Sequence, residues 1–348
     1  MAALALVMIV RNEERCIARC LNSVRGVVDE MIVLDTGSTD DTVKIAEGLG
    51  ARVYHYVWND DFAAARNAAL DHSSAQWNLI LDADEWVGDA PDKAMLSAAL
   101  AAHQPFLGAL PISSQFDMQG QVQESVSWIP RILPRGVRYA GRIHEQPVSD
   151  LARKRIELPI VHDGYRTVEL ERKRGRNIDL LLLALEEAPT DPYLLFQLGA
   201  SHAVYGDYVT AVLRYTQALL FTKEHHGFRH ELVVRTIFAL KEAGRHEAAI
   251  EFAESEMKNW EHSPDFFFAL GDVLLAWGNL NKGEQFDTLV PMIEAAWLRC
   301  IEIGDQPTLS GSVRGRGSFL AAHNLAVVYD ALGDKEKAAQ YWQLAAAR

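Results

Sequence analysis

Four short apolar runs punctuate the first part of the chain, and each gives way to polar residues and then to helical spacing. Leu4–Val10, Glu30–Leu34, Arg52–Val57 and Trp77–Leu81 read as strands. Between them Ile17, Cys20, Leu21 and Val24, then Val43, Ile45, Ala46 and Leu49, recur at helical spacing, with Gly26 and Gly50 closing those helices. A third helix, capped by Asp60 or Asp61, holds Arg66 and Asn67. Strand and helix alternating four times predict an α/β fold whose parallel sheet has right-handed crossovers and a ligand crevice at the carboxyl ends of its strands. Polar residues fall at those ends: Asn12 and Glu13 after the first strand, Asp35 and Ser38 after the second, Asp82 and Asp84 after the fourth.

The sharpest of these boundaries is WNLILDADEW, Trp77 to Trp86. Residues two apart in an extended chain point the same way, so Asp82 and Asp84 can present two carboxylates together. Mg²⁺ takes one or two carboxylates and fills its other positions with phosphate and water, so this pair suits a cation carrying a nucleotide diphosphate. Capping of the next helix would account for one of the two aspartates equally well.

From Leu107 the pattern becomes β, with strands predicted at Leu107–Phe116, Ser127–Leu133 and near Ile156–Val161. This region holds Arg131, Arg135, Arg138 and Arg142, either a solvated rim or a phosphate clamp, followed by His144 and Glu145. A His beside a Glu, near a candidate metal site, has the chemistry of a ligand and a base. His162, before Asp163 and Gly164, reads as part of a turn. After about Arg172 only helices are predicted. Leu198-Gly199, Gly206, Tyr208, Ala211, Tyr215 and Ala218 form a pattern of small and aromatic positions that comes again around Gly244, Gly278 and Gly333. The last interval is longer, which places an insertion in the loop Gly304–Gly317. Such stacks expose a concave surface for a partner, or pair into a homodimer.

Length allows about two domains at the usual ~100–200 residues each. A net charge of −13 argues against nucleic acid or an anionic membrane as the main partner. No apolar run approaches the ~20 residues of a membrane span, and three cysteines suit a reducing compartment, so a soluble, cytoplasmic protein is expected. Cys16 and Cys20 are expected to be buried thiols. The first turn, Arg11-Asn12-Glu13-Glu14, lacks the glycines of a dinucleotide fingerprint, and no P-loop is present. Asp35-Thr36-Gly37-Ser38 matches the tetrapeptide of aspartic proteases, but those need two copies in an all-β setting.

Taken in order, MIVRNEE (Met8–Glu14), VLDTGSTDDT (Val33–Thr42), WNDDFAAARN (Trp58–Asn67), ILDADEW (Ile80–Trp86) and GRIHE (Gly141–Glu145) resemble the family 2 glycosyltransferases with the GT-A fold. The join to tetratricopeptide repeats resembles a bacterial branch that includes the peptide S-glycosyltransferases of glycosylated bacteriocins. The resemblance implies a Rossmann-like GT-A nucleotide-diphospho-sugar transferase domain over 1–170 and an all-α tetratricopeptide-repeat solenoid over 171–348. It implies a nucleotide sugar donor, a UDP-hexose, with Mg²⁺ or Mn²⁺ as cofactor and inversion at the anomeric carbon. Asn12, Glu13 and Asp35 would line the base and ribose pocket, Arg66 would reach the base or diphosphate, Asp82 the ribose or sugar, and Asp84 the metal. His144 would be a third metal ligand and Glu145 the catalytic base, with Asp117 and Asp163 as alternatives. The acceptor would be a Cys or Ser side chain of a peptide or protein, or a lipopolysaccharide-core or other glycan. A non-catalytic repeat scaffold is the reading from another class; clustered carboxylates at a crevice are poorly explained by it, because they repel one another without a cation.

Overall fold

Strand β1 (Leu4–Val10) is apolar on both faces because both faces are covered. Leu4, Leu6, Met8 and Val10 pack with Ile17, Cys20, Leu21 and Val24 of helix α1 (Ile17–Val24), while Ala5 and Val7 pack with Ala63, Ala69 and Leu70 of α3 (Phe62–Asp71). The computed structural model describes residues 4–88, 93–101, 104–118, 121–162, 175–280 and 284–346. Two compact units divide the chain, residues 1–184 and 185–348. The boundary expected near residue 170 falls outside the described residues.

The first unit is built on a nine-stranded mixed sheet. Its first four strands are β1, β2 (Glu30–Asp35), β3 (Arg52–His55) and β4 (Trp77–Ile80), parallel and in the order β3-β2-β1-β4. The chain runs outward from β1 to β3 and then returns to the other side of β1. That reversal opens a crevice between the carboxyl ends of β1 and β4, where Asn12 and Asp82 stand. Helices α2 (Thr42–Gly48) and α4 (Lys93–Leu100) complete the layers.

The sheet continues through β7 (Gln121–Pro134), β6 (Leu107–Met118), β11 (Ile160–His162) and β5 (Glu85–Val87). β7 runs antiparallel to β4 and β6, and β5 antiparallel to β11. A short hairpin of β8 (Arg138–Ala140) and β9 (Gln146–Val148) stands apart, and β10 (Arg153–Arg155) pairs with the start of β6. Of the strand expected near Ile156–Val161 only the end is found, as β11; β10 precedes it, and β5 was not anticipated. Pairing of β6 with β7 slips between Gly108 and Ala109, which face Ile132 and Pro130, so Arg131 is the extra residue of a bulge. Gly108 is required there, since a Cβ would lie 2.9 Å from Ile132 Cβ and from Ile156 Cδ1.

Among its described residues the second unit contains four helix pairs: Pro192–Val204 with Tyr208–Phe221, Arg229–Glu242 with His246–Glu256, Pro264–Leu280 with Glu284–Ile303, and Phe319–Leu332 with Lys335–Ala346. Gly206, Gly244 and Gly333 occupy the left-handed turn between the members of a pair. Gly278 does not; it lies inside a helix under Phe286. The glycines Gly199 and Gly271 serve close packing instead, under Tyr215 and Trp297 respectively. A Cβ at Gly271 would lie 2.5 Å from Trp297 Nε1, and Trp297 is fully buried. Gly271→Ala should therefore cost about 1–3 kcal/mol by overpacking, read as a lower denaturant midpoint of the helical unit.

Candidate active site

The two loops at the ends of β1 and β2 are knitted together by residues expected to line the donor pocket. Asn12 has φ +56°, donates its N–H to Ser38 Oγ at 2.9 Å and accepts the Thr39 N–H on its side chain at 2.8 Å. The Glu13 N–H reaches Thr42 Oγ1 at 2.7 Å, and the Glu13 carboxylate accepts the Cys16 thiol at 3.2 Å. Buried Asp35 accepts the N–H groups of Gly37 and Ser38, each at 3.1 Å, and Gly37 adopts the φ of +106° that this tight turn needs. Its Oδ2 also lies 3.4 Å from Nδ1 of the exposed His55. Asp35 thus shapes the loop. All three cysteines are buried free thiols, and burial pushes Cys16 and Cys20 well above the usual thiol range.

Helix α3 starts at Asp61, whose carboxylate accepts the Ala64 N–H at 2.8 Å. It presents Arg66 inward, with only 9% of the side chain exposed. Arg66 Nη2 donates to Asp82 Oδ1 at 2.7 Å, and its Nε donates to Glu145. Asn67 fixes β8 by exchanging two hydrogen bonds of 2.9 Å with the backbone of Tyr139. From the other side the bulge in β7 delivers Arg131, whose Nη2 donates to Glu85 Oε1 at 2.5 Å and to Asp82 Oδ2 at 3.2 Å. Burial works against the charge of Asp82, but the two guanidiniums outweigh it and hold Asp82 well below the usual carboxylate range. Glu85 is pushed the other way, chiefly by burial and with help from the Asp82 charge, against the pull of Arg131.

Asp84 is buried, and the imidazole beside it belongs to His162, with Nε2 at 3.4 Å from Asp84 Oδ2. The pairing follows from the sheet: antiparallel β5 and β11 set His162 opposite Glu85, next in the chain to Asp84. Burial lowers the His162 pKa, but the hydrogen bond and charge of Asp84 prevail and raise it. His144 occupies a strained position at φ +51°, and burial keeps its imidazole below the usual pKa. Among the described residues no three His, Cys, Asp or Glu side chains gather in a metal-binding cluster, so Asp84 and His162 form a pair and His144 stands apart from it. Arg66 Nη1, Arg131 Nε and His144 Nε2 are buried with no hydrogen-bond partner among the described residues. Unused donors on two buried guanidiniums are the kind a bound anion satisfies. Asp163 and the side chain of Asp117 lie outside what the structure describes.

A family model, glycosyl transferase family 2, matches residues 5–169, the whole span of this site. A TPR repeat-containing protein of Synechococcus elongatus is 32% identical over 295 residues, covering 81% of this chain and 70% of that one. The chain is a family 2 glycosyltransferase. The prophage-derived glycosyltransferase SunS of Bacillus subtilis is 29% identical over 201 residues, 55% of this chain and 47% of SunS, so the match spans about half of that relative. An uncharacterized glycosyltransferase of Rickettsia felis is 44% identical over 85 residues, 24% of this chain and 30% of that one.

In this transferase, Arg66, Asp82 and Glu145 meet at one point, and Asn12, Glu13 and Asp35 brace the neighbouring loops. Sequence reasoning missed three members. Glu85 was hidden as the tail of the acidic run, and His162 as a turn residue. Arg131 was one of four arginines that suit either a solvated rim or a phosphate clamp; what singles it out is Pro130, a residue that breaks a ladder and marks a bulge. Removing Arg131 would leave Glu85, 3% exposed, buried without a cation. Arg131→Met should therefore destabilise the first unit by about 3–5 kcal/mol in denaturant unfolding, and Glu85→Gln in the same chain should restore part of the loss.

Proposed function

We propose that this glycosyltransferase takes a UDP-hexose with Mg²⁺ or Mn²⁺ and passes the hexose, with inversion, to a Cys or Ser side chain of a peptide or protein. The observation that supports the donor and metal reading is the Asp84–His162 pair at the carboxyl end of the sheet, 3.4 Å between carboxylate and imidazole, beside an ionised Asp82. The Asp84 carboxylate suits either cation, and the imidazole nitrogen suits Mn²⁺ better than the oxygen-preferring Mg²⁺, with phosphate oxygens and water filling the remaining positions. A cation bound there supplies Lewis-acid charge for the departing diphosphate.

The chain's own groups would do the rest. Arg66 and Arg131 would hold Asp82 ionised and aimed at the ribose or sugar, and their unpartnered N–H groups would meet phosphate oxygens. Asn12, Glu13 and Asp35 would shape the base pocket through the loops they join. Glu145, oriented by Arg66, would take the proton of the acceptor hydroxyl or thiol from the face opposite the leaving group. The acceptor class rests on the resemblance to peptide S-glycosyltransferases, and a glycan acceptor is the competing outcome of an acceptor search.

The test is release of nucleotide from a panel of UDP- and GDP-sugars with and without Mn²⁺. Wild type should hydrolyse one donor slowly and only with metal. Asp84→Ala and His162→Ala should each lower that rate roughly 100-fold and abolish metal-dependent UDP binding in calorimetry. Hydrolysis that survives both substitutions, or proceeds equally in a chelator, would sink the metal assignment.

A further inference from the structure

The helical unit contains a separate concentration of buried charge, centred on the loop between its third and fourth helix pairs. Within residues 304–318, Ser312, Val313, Gly315, Arg316 and Gly317 are buried. Arg316 is 6% exposed and its partner Asp265 1%. Asp265 Oδ1 accepts Arg316 Nη1 at 3.0 Å and the Val313 N–H at 2.9 Å. The guanidinium lies over the rings of Phe238 and Phe268, 5.0 and 5.3 Å from their centroids. His230 spans the junction, with Nδ1 at 2.6 Å from the Ser310 carbonyl and Nε2 at 2.7 Å from Ser263 Oγ. Asp305 folds the loop on itself by accepting the N–H groups of Gly315 and Gly317 at 3.0 and 2.8 Å and the Ser318 hydroxyl at 3.0 Å.

The receiving side chains come from the first helices of the second and third pairs. His230 and Phe238 lie on Arg229–Glu242, and Asp265 and Phe268 on Pro264–Leu280. These first helices pack directly on one another. In a stack of helix pairs the layer whose helices adjoin is the inner side of the curve, the surface on which such solenoids hold extended chains. The loop is fitted closely to it at Gly311, where a Cβ would lie 2.4 Å from the Glu231 side chain, and is packed on itself at Gly317, where a Cβ would lie 2.2 Å from the backbone of Gly304.

We propose that segment 304–318 is an internal ligand of the repeats. It occupies the inner surface of the second and third helix pairs as a folded succession of turns anchored by one arginine, and it closes that surface to other chains. Displacing it would break the Asp265–Arg316 pair and uncover the faces of Phe238 and Phe268 that the guanidinium covers, so the loop is a fixed occupant and not a lid. Any acceptor that the transferase engages must then do so elsewhere. The inference concerns the helical unit alone and does not depend on the donor chemistry above, so the two can fail separately.

Hydrogen exchange on the full-length protein tests it first. The amides of Val313, Gly315 and Gly317 should exchange at least ~100-fold more slowly than unprotected amides, like those of the two helices beneath them. Exchange at unprotected rates would overturn the proposal. A synthetic peptide of residues 304–318, added in trans, should not bind wild type but should bind a variant whose loop is replaced by a Gly/Ser linker. Equal binding to wild type would mean an open or readily displaced groove and would refute it, as would a folded linker variant that takes up no peptide. Independently of that variant's folding, Arg316→Met should speed tryptic cleavage after Arg314 at least ~10-fold; an unchanged cleavage rate would remove Arg316 as the anchor.

Discussion

Asp82 sits between two buried guanidiniums, and the acidic end of β4 depends on that balance. Three carboxylates, those of Asp82, Glu85 and Glu145, share Arg66 and Arg131 through four ion pairs. Two unlike charges about 4 Å apart attract by about 4 kcal/mol at an effective dielectric of 20, enough to offset the desolvation of a partly exposed carboxylate. Asp82, whose side chain is 37% exposed, stays charged, while Glu85, buried behind it, is pushed towards its neutral form. The arginines therefore sort the acidic run into groups with different chemistry. Asp84 escapes this pairing and meets an imidazole.

The same device appears in the helical unit with another purpose. There Arg316 and Asp265 join a loop to two helices, and the surrounding groups are backbone N–H, aromatic rings and a neutral-leaning His230 whose pKa burial lowers. Near β4 the guanidiniums leave N–H groups unused among carboxylates at a crevice. In the helical unit Arg316 Nε and Asp265 Oδ2 also lack a partner among the described residues, but Asp265 Oδ1 and both ring nitrogens of His230 are taken up by groups of the protein itself. Buried charge alone thus does not separate a reactive site from a structural clamp; what surrounds the charge does.

Much of the first unit was legible because period-two and helical spacing are local signals. β1, β2 and the start of β4 were placed within a residue and the crevice was expected at the carboxyl ends of the strands, but its place between β1 and β4 emerges only from the strand order of the folded sheet. Arg66, Asp82 and Glu145 were named from their motifs, and the structure brings them into contact. His162 and Arg131 were not, because their roles depend on pairing between distant strands: β11 against β5, and a one-residue slip of β7 against β6. In the helical unit, the recurring glycines form one pattern in the sequence. Gly278 shows the limit of that reasoning, since a glycine in a helix serves packing and one at a turn serves backbone conformation.

The pairing of β5 with β11 has a consequence for how the enzyme is made. Asp84 and His162 are neighbours only when the last described strand of the sheet has closed over a hairpin and a long antiparallel pair. Such distant contacts form late, because the intervening chain must be ordered first. A chain emerging from the ribosome would hold the acidic loop well before it holds the imidazole that faces it. The nascent transferase would thus pass through a stage at which the crevice is recognisable but Asp84 still lacks the imidazole beside it, and the pairing of the two becomes the final act of sheet closure.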